Sequence, residues 1–257
     1  MILSTGLLGA FSLLALLAFA FAAWRLARWP LLLAWVAQAL ALAVDLGGLG
    51  HGQWGGRFGF APALSLTLWL VLAVVLAESQ GRLWLQAQRV LALAGAAVVL
   101  LAWVFPGKAH EVHSAWAPLH WGLGLASYGL VGTAVLHAWL MRRAESQLRR
   151  PDARELAAGW PLLRLERLTF QFLAAGVTVL LAAVLMGALL TPDWRWDHKS
   201  VFSLLALAVL GGLLAARHWL GWRGRQAVRW LYAGSALLLF SYAGSRFVLQ
   251  VLLGRTV

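Results

Sequence analysis

The sequence predicts an all-α polytopic membrane protein, a bundle of about eight transmembrane helices with both termini outside. The first observation is composition: the 257-residue chain is 62% hydrophobic and only 12% charged, with a mean hydropathy of +0.78. Soluble domains are closer to half apolar and about a quarter charged, so lipid must cover part of this apolar surface. The second and third observations are the spacing of the apolar runs and the distribution of the arginines.

Each apolar run is close to the roughly 20 residues that a membrane-spanning helix needs. The predicted spans are 4–24, 30–46, 61–78, 89–105, 117–141, 167–190, 200–219 and 227–252. The first has no basic residue before it, so we interpret it as a retained helix and not as a signal peptide. The runs are continuous and lack the alternation of a membrane barrel, so we expect helices, in one transmembrane domain over residues 1–257.

Basic residues are enriched in the loops that lie in the cytoplasm. Loops one, three, five and seven contain Arg25, Arg28, Arg82, Arg89, Arg142, Arg143, Arg149, Arg150, Arg154, Arg164, Arg167, Arg217, Arg223, Arg225 and Arg229. Loops two, four and six and the tail contain only Arg57, Lys108, Arg195, Lys199 and Arg255. This bias places the first set in the cytoplasm and both termini outside. The net charge of +12 thus reflects topology, and we expect no nucleic-acid partner.

The longest polar stretch is the basic loop at about residues 142–166. It is either an amphipathic helix on the inner leaflet or a solvated basic segment. Other chemistry is limited by composition: the absence of cysteine excludes disulfides, thiolate metal sites and iron–sulfur clusters. The sequence also contains no HExxH or GxSxG motif, so hydrolytic catalysis has no support and we assign no catalytic residue.

Histidines and tryptophans gather on the predicted outer face. Five histidines fall on or near that face, namely His51, His110, His113, His120 and His198. Most of the 16 tryptophans fit the aromatic belts at the two membrane interfaces, but one outer cluster is denser. It comprises Trp116, His120, Trp121, Trp194, Trp196, Asp197 and His198. Flat indoles beside neutral imidazoles suit a flat aromatic ligand such as a porphyrin, whose iron accepts two axial imidazoles.

These residues also carry a family resemblance. Residues 194–199, Trp-Arg-Trp-Asp-His-Lys, resemble the end of the tryptophan-rich WWD signature of the cytochrome c assembly superfamily. The stretch from His120 to Tyr128 resembles the helix that carries an outward haem-ligating histidine in that family. The segments 60–69 and 222–247 are similar to its third and last helices. The resemblance covers roughly residues 55–250 and is closest to the short, eight-helix YpjD-like branch.

The resemblance implies a non-covalent, b-type haem bound at the outer face. His120 is the expected outward axial ligand, with Trp121 beside it in the cluster. Trp194, Trp196 and Asp197 would form a platform facing the haem. The signature departs from the family pattern, because His198 replaces its proline and no Trp-Gly-x-x-Trp run precedes it. The second axial ligand is His198 or another outer histidine such as His51, unless the haem is five-coordinate or absent.

Two charges lie within predicted helices and need partners in hydrocarbon. Asp45 is near the outer end of helix two, and Arg246 is in the outer third of helix eight. One hypothesis is that they pair and hold the bundle together; the other is that Arg246 binds a haem propionate. His137 and His218 fall near inner helix ends. We interpret these two as interfacial side chains that extend toward the headgroups, with an inner haem site as the alternative.

Several functions fit these features. The preferred one is a non-enzymatic, haem-handling inner-membrane protein that assists cytochrome c assembly and presents haem at the outer face. A haem-less regulatory or scaffolding subunit, a component of a cytochrome c synthase (haem lyase) and a transporter are the alternatives. The expected partners are membrane lipid, haem, and an apocytochrome c or another membrane assembly protein. Transport is least favoured, because the sequence contains no inverted repeat and no helix broken in mid-membrane.

Overall fold

The computed structural model describes residues 2–47, 57–78, 85–106, 108–109, 116–148, 162–190 and 196–244. Its helices are α1 Ile2–Arg25, α2 Arg28–Leu46, α3 Phe60–Glu78, α4 Leu85–Val104, α5 Ala117–Leu148, α6 Leu162–Leu190, α7 His198–Leu220 and α8 Gly224–Leu239. A π-helical segment, Phe240–Gly244, continues α8. Within the described ranges, seven helices are long and apolar enough to cross a membrane, and α8 is the eighth helix. The prediction of an all-α polytopic membrane protein is confirmed.

Two helices extend further than their apolar runs. We expected a basic loop at 142–166, but α5 continues to Leu148 and α6 begins at Leu162. The prediction ended each span at the first charged residues. Arg, Glu and Gln are good helix formers, so a helix continues past the hydrocarbon into the headgroup layer at little cost. The alternative of an amphipathic helix in this basic loop falls largely on residues 149–161, which lie outside the described residues.

The chain divides into two compact units, Met1–Trp121 with Arg246–Val257, and Gly122–Ser245. In the first unit, α1 packs against α2 and α4, and α3 packs against α2 and α4. The contact between α1 and α4 requires a glycine, because a Cβ at Gly95 would overlap the ring of Phe19. Phe19 is fully buried, so its ring has no space into which to move. Small residues of this kind allow helices to approach closely in membranes, where van der Waals packing drives association.

A short ladder joins loops two and four on the predicted outer face. Strands β1 Arg57–Phe58 and β2 Lys108–Ala109 pair antiparallel, with Arg57 opposite Ala109 and Phe58 opposite Lys108. These two-residue strands carry no signal in the sequence, because they are too short to show an alternating pattern. They place the connections of α2 to α3 and of α4 to α5 on the same side, as the alternation of the charged loops requires.

Side-chain hydrogen bonds connect α2 to α3 at three successive levels. Arg28 donates to the carbonyl of Leu76 over 3.2 Å. Trp35 and Trp69 form the central level: each indole N–H donates to the other residue's carbonyl, over 3.1 and 3.0 Å, and the rings stack 4.9 Å apart and nearly parallel. Beyond them, Gln38 donates to Ser65. Because the two residue numbers at each level add to nearly the same value, the contacts fix one antiparallel register.

The second unit is built around α7 and α8. Their contact again depends on a glycine, since a Cβ at Gly234 would overlap the buried side chain of Leu210. On α5, the hydroxyl of Tyr128 lies 2.5 Å from the carbonyl of Leu238 and 2.6 Å from the hydroxyl of Ser241. Ser241 donates to the same carbonyl over 2.7 Å. These bonds hold α5 against the point where α8 changes from α to π geometry, a place where carbonyls depart from the regular helical pattern.

We expect Trp35→Phe and Trp69→Phe each to lower the free energy of unfolding by about 1 kcal/mol, because each removes one indole donor while retaining an aromatic ring. In the double variant the loss should be smaller than the sum, since the two bonds form in a single stacked geometry. Unfolding of the detergent-purified protein by a denaturing detergent measures all three. The control is Trp103→Phe, at a 40% exposed indole of α4. Strictly additive losses would show that the two indoles are not coupled.

Candidate functional site

His120 lies in the first turn of α5. The helix follows Trp116, whose carbonyl accepts the backbone N–H of His120 over 3.0 Å. Pro118 fits this first turn, where its missing N–H leaves no helical bond unmade. The His120 side chain is partly buried and its Nδ1 atom is shielded from solvent. Trp121 is also partly buried, while Trp116 is exposed.

Asp197 is the N-cap of α7. Its extended backbone (φ −86°, ψ 166°) directs the carboxylate to the backbone N–H of Ser200, which donates over 2.8 Å. This bond satisfies one of the donors that every helix start leaves open. Partial burial acts to raise the pKa of Asp197. The hydrogen bonds from Ser200 and the charges of Lys199 and His198 outweigh it and hold the pKa below the ordinary value of 3.8.

The residues beside the cap are open to the surroundings. Trp196 is 74% exposed, and His198, the first residue of α7, is exposed as well. An exposed indole, a charged carboxylate and an imidazole therefore follow one another at this helix start. The family resemblance implies that Asp197 faces a haem, and it says nothing of the capping role seen here. The signal was present, because an Asp directly before an apolar helical run is a common N-cap.

The structure describes only some of the predicted site residues. Trp194 and Arg246, and the alternative ligands His51, His110 and His113, lie outside the described residues. His120 and Trp121 belong to the first unit, and Trp196, Asp197 and His198 belong to the second. Pairing of His120 with His198 on one iron stays a prediction. In the described part of the chain, no three His, Asp or Glu side chains converge in a way that would hold a metal ion.

Asp45 is buried with other polar side chains in the first unit. It is 4% exposed and lines a cavity of about 10 Å³ together with Ser12, Gln38 and Ser65. Gln38 is fixed there because its amide nitrogen donates to both the carbonyl and the hydroxyl of Ser65, each over 3.0 Å. A cavity of this size holds about one water molecule. The pairing of Asp45 with Arg246 stays a prediction.

One interpretation of the inner histidines is wrong. His137 does not extend toward the headgroups: it is 2% exposed, and its ring stacks on Phe172 with the centroids 5.4 Å apart. Nδ1 lies 2.8 Å from the carbonyl of Thr133, to which it donates a hydrogen bond. An internal carbonyl can thus satisfy a histidine that hydropathy places at an interface. His218 is exposed and packs edge-on against Trp219, as expected for an interfacial side chain.

We expect Asp197→Ala to lower the free energy of unfolding by about 1 kcal/mol and Asp197→Asn by a few tenths, because Asn still accepts the Ser200 N–H. The folded-state pKa is lowered, so the carboxylate's stabilisation is present above the unfolded-state pKa and disappears as the pH falls through the folded value. The Asn variant should therefore lose less stability on acidification than the wild type. Thermal unfolding followed by circular dichroism at neutral pH and near pH 3 measures this difference. Equal losses in the Ala and Asn variants would contradict the capping role.

Comparison with known protein sequences identifies a family that matches this chain. The family described as "Cytochrome C assembly protein" matches residues 106–253, more than half of the chain. A 28.8 kDa protein from the nifR3-like 5′ region of Azospirillum brasilense is 38% identical over 152 residues, 54% of each chain. The chain thus covers about half the length of that relative.

The inner membrane protein YpjD of Escherichia coli, in strain K12 and in O157:H7, is 29% identical over 195 residues, 74% of this chain and 73% of YpjD. No solved structure matches. The resemblance seen in the sequence is confirmed, as is the localisation, which is the bacterial inner membrane with multiple spans. The chain belongs to the cytochrome c assembly protein family, in its YpjD-like branch.

Proposed function

We propose that this protein binds a non-covalent b-type haem at the outer face of the inner membrane and assists cytochrome c assembly by presenting it there. One observation carries the proposal: in a chain of this family, two helices begin on the predicted outer face with a histidine that lies within two residues of a tryptophan. His120 is in the first turn of α5, and His198 is the first residue of α7. The proposed partners are an apocytochrome c or another membrane assembly protein.

The side chains present fit a haem chemically. Each imidazole supplies a nitrogen ligand of the type that haem iron accepts, and an exposed indole such as Trp196 can cover a porphyrin face and exclude water. The carboxylate of Asp197 is held in place by the N–H of Ser200 and stays charged at neutral pH. It can therefore orient a neighbouring imidazole. If haem binds, His120 and His198 are the residues that would hold it, and it would supply an iron centre. Arg246 is the proposed partner of a propionate.

A haem-less scaffold is the second candidate function, and the geometry of Asp197 favours it. The carboxylate caps α7, and that role by itself accounts for an aspartate at this position without any haem. A scaffold of this kind would keep the fold and engage a partner through the same outer face. A subunit of a cytochrome c haem lyase would combine both features, with the partner completing the site.

Absorption spectra of the detergent-purified protein test the proposal. The wild type, oxidised and reduced, should show a Soret band and sharp reduced α and β bands. His120→Ala should lose them because it removes one axial nitrogen. The matched control is His218→Ala, which removes an exposed histidine from the opposite end of α7 and should leave the spectrum unchanged.

His198→Ala then tests the second ligand. Conversion of the spectrum to a five-coordinate form would identify His198, whereas an unchanged spectrum would direct the search to His51, His110 and His113. A well-folded wild type that stays colourless after incubation with hemin would refute the haem proposal. The scaffold would then be the leading function.

A further inference from the structure

The end of the second unit that contains the turn between α7 and α8, on the predicted cytoplasmic side, carries many basic residues. The turn between α7 and α8 consists of three residues, 221–223. Gly221 adopts a left-handed conformation (φ 67°), and the N–H groups of Gly221 and Trp222 both point back to the carbonyl of Ala216. Gly224 has a positive φ of 62° as well. These two glycines fix a tight hairpin, here called the α7–α8 hairpin and comprising residues 217–230, which cannot project far beyond the helix ends.

Positive charges far outnumber negative charges at this end of the unit. Eight arginines are described on the adjoining helix ends, namely Arg142, Arg143, Arg164, Arg167, Arg217, Arg223, Arg225 and Arg229. The described carboxylates there are Glu145 and Glu166. Glu166 is already engaged, because Arg217 donates to it over 3.0 Å while its guanidinium lies 3.5 Å above the ring of Phe170. Arg217 therefore serves the packing of α6 against α7 and adds little to anion binding.

The arginines of the hairpin itself are available to an anion. Arg223, Arg225 and Arg229 are all exposed, and the last two are one turn apart and share a face of α8. The start of α8 adds the positive end of its dipole.

Tryptophans set the depth of this surface in the membrane. Trp219 is 80% exposed and Trp230 is 44% exposed. Trp222 packs against Trp230 with the ring centroids 6.2 Å apart. Exposed indoles at the ends of membrane helices lie at the level of the lipid headgroups. The guanidinium groups beside them therefore lie at the level of lipid phosphates, and a three-residue turn keeps them there.

We propose that the α7–α8 hairpin binds the headgroup of an anionic phospholipid of the inner leaflet. Arg223, Arg225 and Arg229 pair with the phosphodiester, and Trp219 and Trp230 insert beside the glycerol and upper acyl chains. Guanidinium matches phosphate with paired hydrogen bonds that an ammonium group cannot reproduce. An acidic protein partner is less favoured, because its binding surface would have to displace the indoles from the membrane interface. The inference is independent of the haem proposal, which concerns the opposite face.

Short-chain phospholipids test the proposal on the full-length protein in a neutral detergent. Dihexanoyl phosphatidylglycerol should raise the melting temperature in a saturable way, and dihexanoyl phosphatidylcholine should not. Replacing all three arginines by Gln should weaken the apparent affinity by roughly fivefold for each arginine lost. Replacing all three by Lys keeps the charge, and with it the membrane topology, and should weaken binding by about threefold through loss of the paired bonds.

The control variant is Lys199→Gln, which removes an exposed charge from the other end of α7 and should bind phosphatidylglycerol like the wild type. The Lys triple variant keeps the test decisive even if the Gln triple variant does not insert. Equal stabilisation by the two lipids, or wild-type affinity in the Lys variant, would overturn the proposal. So would displacement of phosphatidylglycerol by equimolar inorganic phosphate or by an acidic peptide, because the site would then recognise charge and not a lipid.

Discussion

Polar groups within a bilayer must find their partners inside the protein, and the crossed bonds between α2 and α3 show how this chain meets that requirement. An indole N–H left in hydrocarbon would lose its bond to water with nothing in return. Trp35 and Trp69 avoid that loss because each donates to the other's backbone, and Gln38 is satisfied by Ser65 in the same way. Bonds of this kind form in only one register. They therefore specify how apolar helices, which could slide freely in lipid, are aligned.

The same requirement acts in the second unit. Tyr128 reaches from α5 to a carbonyl of α8 just before its π-helical segment, and His137 bonds to a carbonyl of its own helix. Both side chains are polar groups that membrane burial would penalise if they were unpaired. The imidazole of His137 thus finds a hydrogen-bond partner within its own helix, away from the helix starts where we propose haem. The long helices are thus aligned by internal bonds, while their ends remain available for other chemistry.

The two ends of α7 differ in what they expose. At its start, Trp196, Asp197 and His198 combine an indole, a capped carboxylate and an imidazole, a set suited to a flat ligand with a metal centre. At its finish, a glycine-fixed hairpin exposes arginines and indoles, a set suited to phosphate at the membrane surface. The asymmetry follows the positive-inside distribution, which keeps basic residues away from the face where the family resemblance places haem. One helix therefore connects the proposed functional face to the proposed lipid anchor.

The sequence by itself determined the membrane class, the order of the helices in the described residues and the family. Apolar runs of spanning length and alternating loop charge reflect transfer between water and lipid, which depends on local composition. The sequence also located the helix starts that carry His120 and Asp197. Only the tertiary structure decided that Trp35 pairs with Trp69, that the ring of Phe19 packs against Gly95 and that His137 is buried. These facts depend on which residues of different helices contact one another. Hydropathy does not predict those contacts, because any face of an apolar helix can lie against lipid at little cost.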